Sequence, residues 1–95
     1  MARFEASISP KVVEQIPTPA HLGTVLLINS GYVFGGARKE ELDKDEQVGI
    51  YNLNTLFGYI TYKRQPDGSV SVVITDVPNG HGDILTSAAQ QLVER

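Results

Sequence analysis

Apolar and polar residues alternate along two neighbouring segments of the chain, and this alternation predicts a β-hairpin. Residues 57–64 and 69–77 flank the sequence Gln65-Pro66-Asp67-Gly68. Pro, Asp and Gly at these successive positions are typical of a type I turn followed by a bulge. With Gln65 opposite Ser69, one face of the hairpin is mostly aliphatic and carries Ile60, Tyr62, Val70, Val72 and Ile74. We expect this face to form part of the core.

The opposite face of the hairpin is mixed, and it carries the residues that we predict to bind a partner. These residues are Phe57, Tyr59, Thr61, Lys63 and Val73. A sheet of this kind has more apolar surface than one short helix covers, and small domains often gain stability by association. We therefore expect protein, from the same chain or from a second subunit, to cover the two aromatic rings.

The pattern before residue 36 predicts further strands and one helical turn. Residues 2–8 alternate as in a half-buried strand, and Ser9-Pro10 is a suitable start for a helical turn. The segment Gly23 to Ile28 is apolar on both sides, so it is predicted to be a buried strand. Residues 32–34 are expected to return as the second strand of a hairpin.

The remaining segments are predicted to be helical or irregular. Residues 37–46 are dense in charge and have almost no apolar side, which indicates a short exposed helix or an ordered loop. Residues 83–95 carry apolar residues at helical spacing, with Asp83 as the N-cap. The sequence thus predicts a single compact α+β domain over 1–95, in which about five antiparallel strands, built from hairpins, pack against a C-terminal amphipathic helix.

Composition narrows the classes of function. The chain has 95 residues, no Cys and a net charge of −3. Without Cys there is no disulfide, no thiol nucleophile and no thiolate metal site, and we expect neither a metal nor a cofactor. No apolar run reaches the roughly 20 residues that span a bilayer, and the first residues lack a signal-peptide pattern. We expect a cytoplasmic protein with no membrane partner.

One loop has residues that suit a small ligand. Asn79, Gly80, His81, Gly82 and Asp83 lie between the last predicted strand and the last helix. Glycines let backbone N–H groups approach a ligand, and helix N-termini favour anions. The same residues are ordinary turn chemistry, and the Asp83 charge would oppose a phosphate. This loop therefore supports an alternative function, a small-ligand or anion-binding regulatory domain.

A second alternative comes from the sequence Phe57-Gly58-Tyr59-Ile60-Thr61-Tyr62. It resembles the core of the aromatic strand motif in RNA-recognition and cold-shock domains. The resemblance implies that Phe57 and Tyr59 stack on the bases of a single-stranded nucleic acid. It covers six residues, and Thr55-Leu56 stands where those families have a basic residue and Gly. A net negative charge also disfavours binding to a polyanion.

The sequence therefore favours a non-catalytic protein-interaction or assembly module, which either self-associates into a homo-oligomer or docks on a larger protein. We name no catalytic residue, because no nucleophile–base pair or metal-ligand set can be assembled from the sequence. An enzyme is the least favoured class.

Overall fold

The computed structural model describes residues 2–32, 36–42, 45–78 and 82–93. The elements, in chain order, are β1 (Arg3–Ile8), α1 (Pro10–Gln15), α2 (Pro19–Asn29), β2 (Gly36–Leu42), β3 (Asp45–Asn52), β4 (Thr55–Arg64), β5 (Val70–Asp76) and α3 (Ile84–Val93). The strands form one antiparallel sheet in the order β1-β5-β4-β3-β2. Strands β2 to β5 follow one another as a meander, and the first strand completes the sheet beside the last.

The α+β class, the antiparallel sheet and the C-terminal helix that the sequence predicts are confirmed. The hairpin of β4 and β5 also has the predicted register, in which Tyr62 lies opposite Val72 and Ile60 opposite Ile74. Its aliphatic face is buried as expected. Ser9 caps α1, since its hydroxyl accepts a hydrogen bond from the N–H of Val12 at 3.4 Å.

The turn between β4 and β5 depends on Gly68, which has a φ of +89°. The N–H of Gly68 donates to the carbonyl of Gln65 at 3.1 Å, and the N–H of Gln65 donates to the carbonyl of Ser69 at 2.9 Å. The hydroxyl and the N–H of Ser69 both donate to Oδ1 of Asp67. These hydrogen bonds lower the pKa of Asp67 below its ordinary value. The bond from the Ser69 hydroxyl has the largest effect, and the bond from the Ser69 N–H follows.

Replacing Gly68 by Val is expected to destabilise the protein by about 1–2 kcal/mol, because a β-branched residue is strained at a positive φ. Thermal unfolding followed by circular dichroism measures this loss. Gly68→Asn is the matched control, since Asn tolerates the left-handed region and should cost much less. Equal melting temperatures for the Val variant and the natural protein would contradict this description of the turn.

The prediction of a strand over Gly23 to Ile28 is wrong, because these residues lie in α2. The hydroxyl oxygen of Thr18 caps this helix by accepting a hydrogen bond from the N–H of His21 at 3.1 Å, and Pro19 occupies the first turn. The two prolines around Thr18 therefore start a helix rather than only interrupting structure. The helix buries its most aliphatic side, formed by Leu22, Leu26 and Leu27. This packing outweighs the strand preference of its β-branched residues.

The prediction of a short exposed helix or an ordered loop over 37–46 is wrong for residues 37–42, 45 and 46, while residues 43 and 44 lie outside the described residues. Residues 36–42 form the edge strand β2, and residues 45 and 46 begin β3. Charged residues are common on edge strands, where they oppose pairing with other chains. This segment is a strand because it is hydrogen-bonded to β3. The apolar or polar character of its own residues does not reveal that pairing. Of the strand predicted over 32–34, residues 33 and 34 lie outside the described residues, and Tyr32 is not in a strand.

The core lies between α2 and α3 and one face of the sheet. Its sheet side is formed by Val48, Ile50, Phe57, Ile60, Tyr62, Val70, Val72 and Ile74.

Two hydrogen bonds attach the link between α1 and α2 to β4: Tyr62 donates to the carbonyl of Ile16 at 3.2 Å, and Arg64 donates to the carbonyl of Pro17 at 2.9 Å. Gly23 allows α2 to approach the sheet, because a Cβ at this position would collide with the side chain of Ile50. In the described part of the chain, no helix is long and apolar enough to cross a membrane.

Candidate functional site

The face of the sheet opposite α2 and α3 is the candidate functional site, and we call it the open face. The strand register and the alternation of side chains show which described residues of β1, β3, β4 and β5 lie on this face. They include Arg3, Glu5, Ser7, Gln47, Tyr51, Leu56, Tyr59, Thr61, Lys63, Ser71, Val73 and Thr75. The side chains at its centre are partly exposed, and those on β1 and at the end of β4 are exposed or polar. The described part of the open face thus combines apolar and polar side chains, and its charged residues lie on β1 and at the end of β4.

Four side chains that the strand register places near one another on the open face form what we call the central patch: Tyr51, Leu56, Tyr59 and Val73. Gly49 lies beneath it: a Cβ there would be 3.0 Å from Cε1 of Tyr51 and 3.4 Å from Cδ1 of Leu56. Tyr59 is the cross-strand partner of Gly49, and Val73 lies diagonally beside Tyr59 on β5. Aromatic and β-branched neighbours in this arrangement contact one another across strands. The four side chains are therefore neighbours on the open face.

Four of the five predicted partner-binding residues lie together on the open face. Tyr59, Thr61 and Val73 are partly exposed, and Lys63 is exposed at the margin. The amide of Gln47 donates to the hydroxyl of Thr61 at 2.9 Å, which orders the polar side of the patch. The alternation of the hairpin, read from the sequence, therefore locates most of this surface.

Phe57 does not share that face, so the expectation that it lies beside Tyr59 is wrong. Ile50 pairs with Gly58 while Tyr51 pairs with Leu56, which leaves Phe57 as the extra residue of a β-bulge. The bulge turns its ring into the core, where it is fully buried and meets Tyr32 edge to face with ring centroids 5.1 Å apart. In this position, Phe57 cannot stack on a nucleic-acid base.

The loop predicted to hold a ligand is described only in part. Asn79, Gly80 and His81 lie outside the described residues, whereas Gly82 and Asp83 are exposed. Gly82 has a φ of +80°, which suits the turn into α3. The carbonyl of Asp83 accepts from the N–H of Ser87 at 3.0 Å, so Asp83 does occupy the N-cap position.

The carboxylate that satisfies the first amides of α3, however, belongs to Asp76 at the end of β5. Its Oδ1 accepts from the N–H of Leu85 at 3.1 Å and its Oδ2 accepts from the N–H of Thr86 at 3.0 Å. Asp76 is 1% exposed. Because both of its oxygens accept hydrogen bonds from the helix, Asp76 links the sheet to α3.

Sequence reasoning missed Tyr51, Leu56 and Leu53. The signal for β3 was present, because Val48 and Ile50 alternate with Gln47, Gly49 and Tyr51. Leu53 lies in the turn between β3 and β4, is 78% exposed and has a φ of 55°. An L-residue other than Asn or Asp rarely adopts this conformation, and nothing in the amino-acid pattern around Leu53 indicates it.

Comparisons with known proteins add no identification. A scan against protein-family models, a search of curated proteins and a search of solved structures each found no match to this chain. Within the described residues, no group of three or more His, Asp or Glu side chains is arranged to hold a metal ion.

Proposed function

We propose that the protein is a non-catalytic interaction or assembly module whose contact surface is the open face of the sheet. The observation that supports this proposal most directly is the central patch of Tyr51, Leu56, Tyr59 and Val73. These four side chains are partly exposed and lie near one another on a sheet face opposite the helices. Tyr and apolar residues at the centre of a surface, with polar residues around them, are typical of protein interfaces.

The turn between β3 and β4 gives a second line of support. Leu53 is exposed and holds a positive φ, close in sequence to Tyr51 and Leu56. Gly or Asn would relieve this strain and improve solvation, so neither stability nor solubility accounts for Leu at this position. Strained residues tend to cluster where a protein contacts its ligands. We infer that Leu53 extends the contact surface at one end of the sheet.

Site-specific photo-cross-linking tests the proposal in cells that make the protein. With a benzophenone amino acid in place of Tyr59, we expect a covalent adduct with a protein, which has twice the mass of the chain if the partner is a second copy. The same probe at Ile28, which is 55% exposed at the end of α2, is the control and should give no such adduct. A probe at Tyr59 that yields no protein adduct contradicts the proposal, and an adduct with nucleic acid favours the base-stacking alternative.

A pair of matched variants shows whether the adduct depends on the patch. Val73→Gln places an amide in the patch, whereas Ser71→Gln places the same side chain two residues away on the same strand and face. We expect the Val73 variant to weaken the contact at least tenfold, which corresponds to about 1.4 kcal/mol. The Ser71 variant should leave the contact unchanged. Equal adduct yields from the two variants would show that the patch does not contact the partner.

A further inference from the structure

The outer edge of β1 has the backbone groups needed to pair with another strand. Strand β1 is at one end of the sheet order, and the N–H of Asp76 donates to the carbonyl of Ala2 at 3.0 Å. Hydrogen-bonded and non-hydrogen-bonded pairs alternate along an antiparallel ladder. Phe4, Ala6 and Ile8 therefore face β5 with their N–H and C=O groups. The N–H and C=O groups of Arg3, Glu5 and Ser7 point outwards.

The side chains beside this edge are incompletely covered on the helix side of the sheet. Phe4, Ala6 and Ile8 are only partly buried, although Phe4 and Ile8 contact the core. A crevice of about 30 Å³, lined entirely by apolar side chains, lies between β1 and α3 and includes Phe4 and Leu92. Edge strands in stable monomers are usually protected by charged side chains, Pro, a bulge or a covering element. Over residues 3–8, β1 has no Pro and no bulge, and its two charged residues, Arg3 and Glu5, have opposite signs, so they would repel many strands but attract one that carries the complementary pair.

The charges on β1 favour pairing with a strand whose charges are complementary. Arg3 and Glu5 lie on the open face, form an ion pair at 2.7 Å and are 64% and 60% exposed. In an antiparallel pair of two β1 strands, the residues whose backbone N–H and C=O groups point outwards must lie opposite each other. The register that places Arg3 opposite Glu5 of a second copy also places Glu5 opposite Arg3. A shift of two residues in one direction places two Arg3 residues together, and a shift in the other direction places two Glu5 residues together.

We propose that β1 pairs antiparallel with β1 of a second copy of this chain, in the register that sets Arg3 opposite Glu5. The pairing joins two sheets into one, with Phe4 opposite Phe4 at the two-fold axis on the helix side. The Phe4 rings then cover each other next to the crevice, while the four charges alternate in sign on the open face. This inference goes beyond the proposed function, because it uses the β1 edge rather than the central patch.

The two-fold axis is perpendicular to the joined sheet, so each face of one copy continues as the same face of the other. The two central patches therefore lie on one side of the dimer, and the two α3 helices lie on the other. A further protein that binds one patch can bind both copies of the dimer at once. Pairing at the edge thus leaves the open face available.

Charge-reversal variants test the pairing by light scattering with size-exclusion chromatography over a range of concentrations. The natural protein should show a concentration-dependent dimer. R3E and E5R each put like charges opposite one another, so each should raise the dimer dissociation constant at least tenfold. When the R3E and E5R chains are mixed, the charges complement each other and a heterodimer should form. The double variant R3E/E5R should dimerise as the natural protein does.

Two further measurements complete the test. Glu5→Pro removes an outward N–H and no hydrogen bond to β5, so it should abolish the dimer while circular dichroism shows the same fold. If that variant unfolds, the R3E and E5R variants alone test the β1 pairing. A monomer at all concentrations, or a dimer that R3E and E5R do not weaken, overturns the β1 pairing. A dimer weakened by Val73→Gln but not by R3E also overturns it, yet supports the open face as contact surface. Adducts from Tyr59 test that surface separately.

Discussion

Replacing Asp76 by Ala is expected to lower the free energy of unfolding by about 3–5 kcal/mol. The carboxylate is buried and accepts the N–H groups of Leu85 and Thr86. Without it, two buried amides lose their partners, and the positive end of α3 loses a compensating charge. For a domain of this size, such a loss lowers the melting temperature by at least ~12 °C. Chemical denaturation and thermal unfolding both measure it.

Two other variants make this expectation specific to the carboxylate of Asp76. Asp76→Asn keeps one acceptor oxygen but turns an NH₂ group towards one of the amides, so its melting temperature should fall between those of the Ala variant and the natural protein. Asp83→Ala removes the exposed side chain at the N-cap and should cost about 1 kcal/mol or less. If Asp83→Ala destabilises the protein as much as Asp76→Ala does, then Asp83 is the capping residue, as the sequence alone predicts.

The fold was predictable where local signals and tertiary contacts agree. The Pro66-Asp67-Gly68 turn determines the register of β4 and β5, and the alternation of residues 2–8 predicts β1. The prediction failed at α2, because Thr24, Val25 and Ile28 favour a strand and the cap at Thr18 lies between two prolines, which usually interrupt regular structure. It failed at β2, because the strand depends on pairing with β3 rather than on its own residues. Strand pairing of this kind is non-local, so single-residue preferences do not reveal it.

The candidate site was predictable to the extent that strand alternation holds. Alternation places Tyr59, Thr61 and Val73 on one face, and the structure agrees. At Phe57 one extra residue reverses the direction of the side chain, and a bulge has no dependable signal in the sequence. The role of Asp76 was not predictable from the sequence, because no local pattern connects it with Leu85, nine positions later. The contact exists only after α3 has packed on the sheet.

Separate substitution of the two aromatic residues distinguishes the core from the contact surface. Phe57→Ala is expected to cost about 3–5 kcal/mol, because it removes a fully buried ring and its edge-to-face contact with Tyr32. Tyr59→Ala should cost much less, about 1 kcal/mol, since its ring is partly exposed and opposes Gly49. Urea denaturation of both variants measures the difference. If Phe57→Ala does not fold, Phe57→Leu should still fold and cost about 1–2 kcal/mol.

The same two variants separate protein contact from nucleic-acid binding. Tyr59→Ala should fold and lose at least tenfold in affinity for its protein partner, whereas Phe57→Leu should retain that affinity because Phe57 lies in the core. Neither substitution should affect binding to single-stranded RNA or DNA, since a chain with a net charge of −3 should have no measurable affinity at about 150 mM salt. Salt-sensitive oligonucleotide binding that Tyr59→Ala abolishes, with fold and assembly intact, would contradict the interaction proposal. That result would assign the open face to nucleic acid, with Tyr59 as a stacking residue and Phe57 only as part of its support.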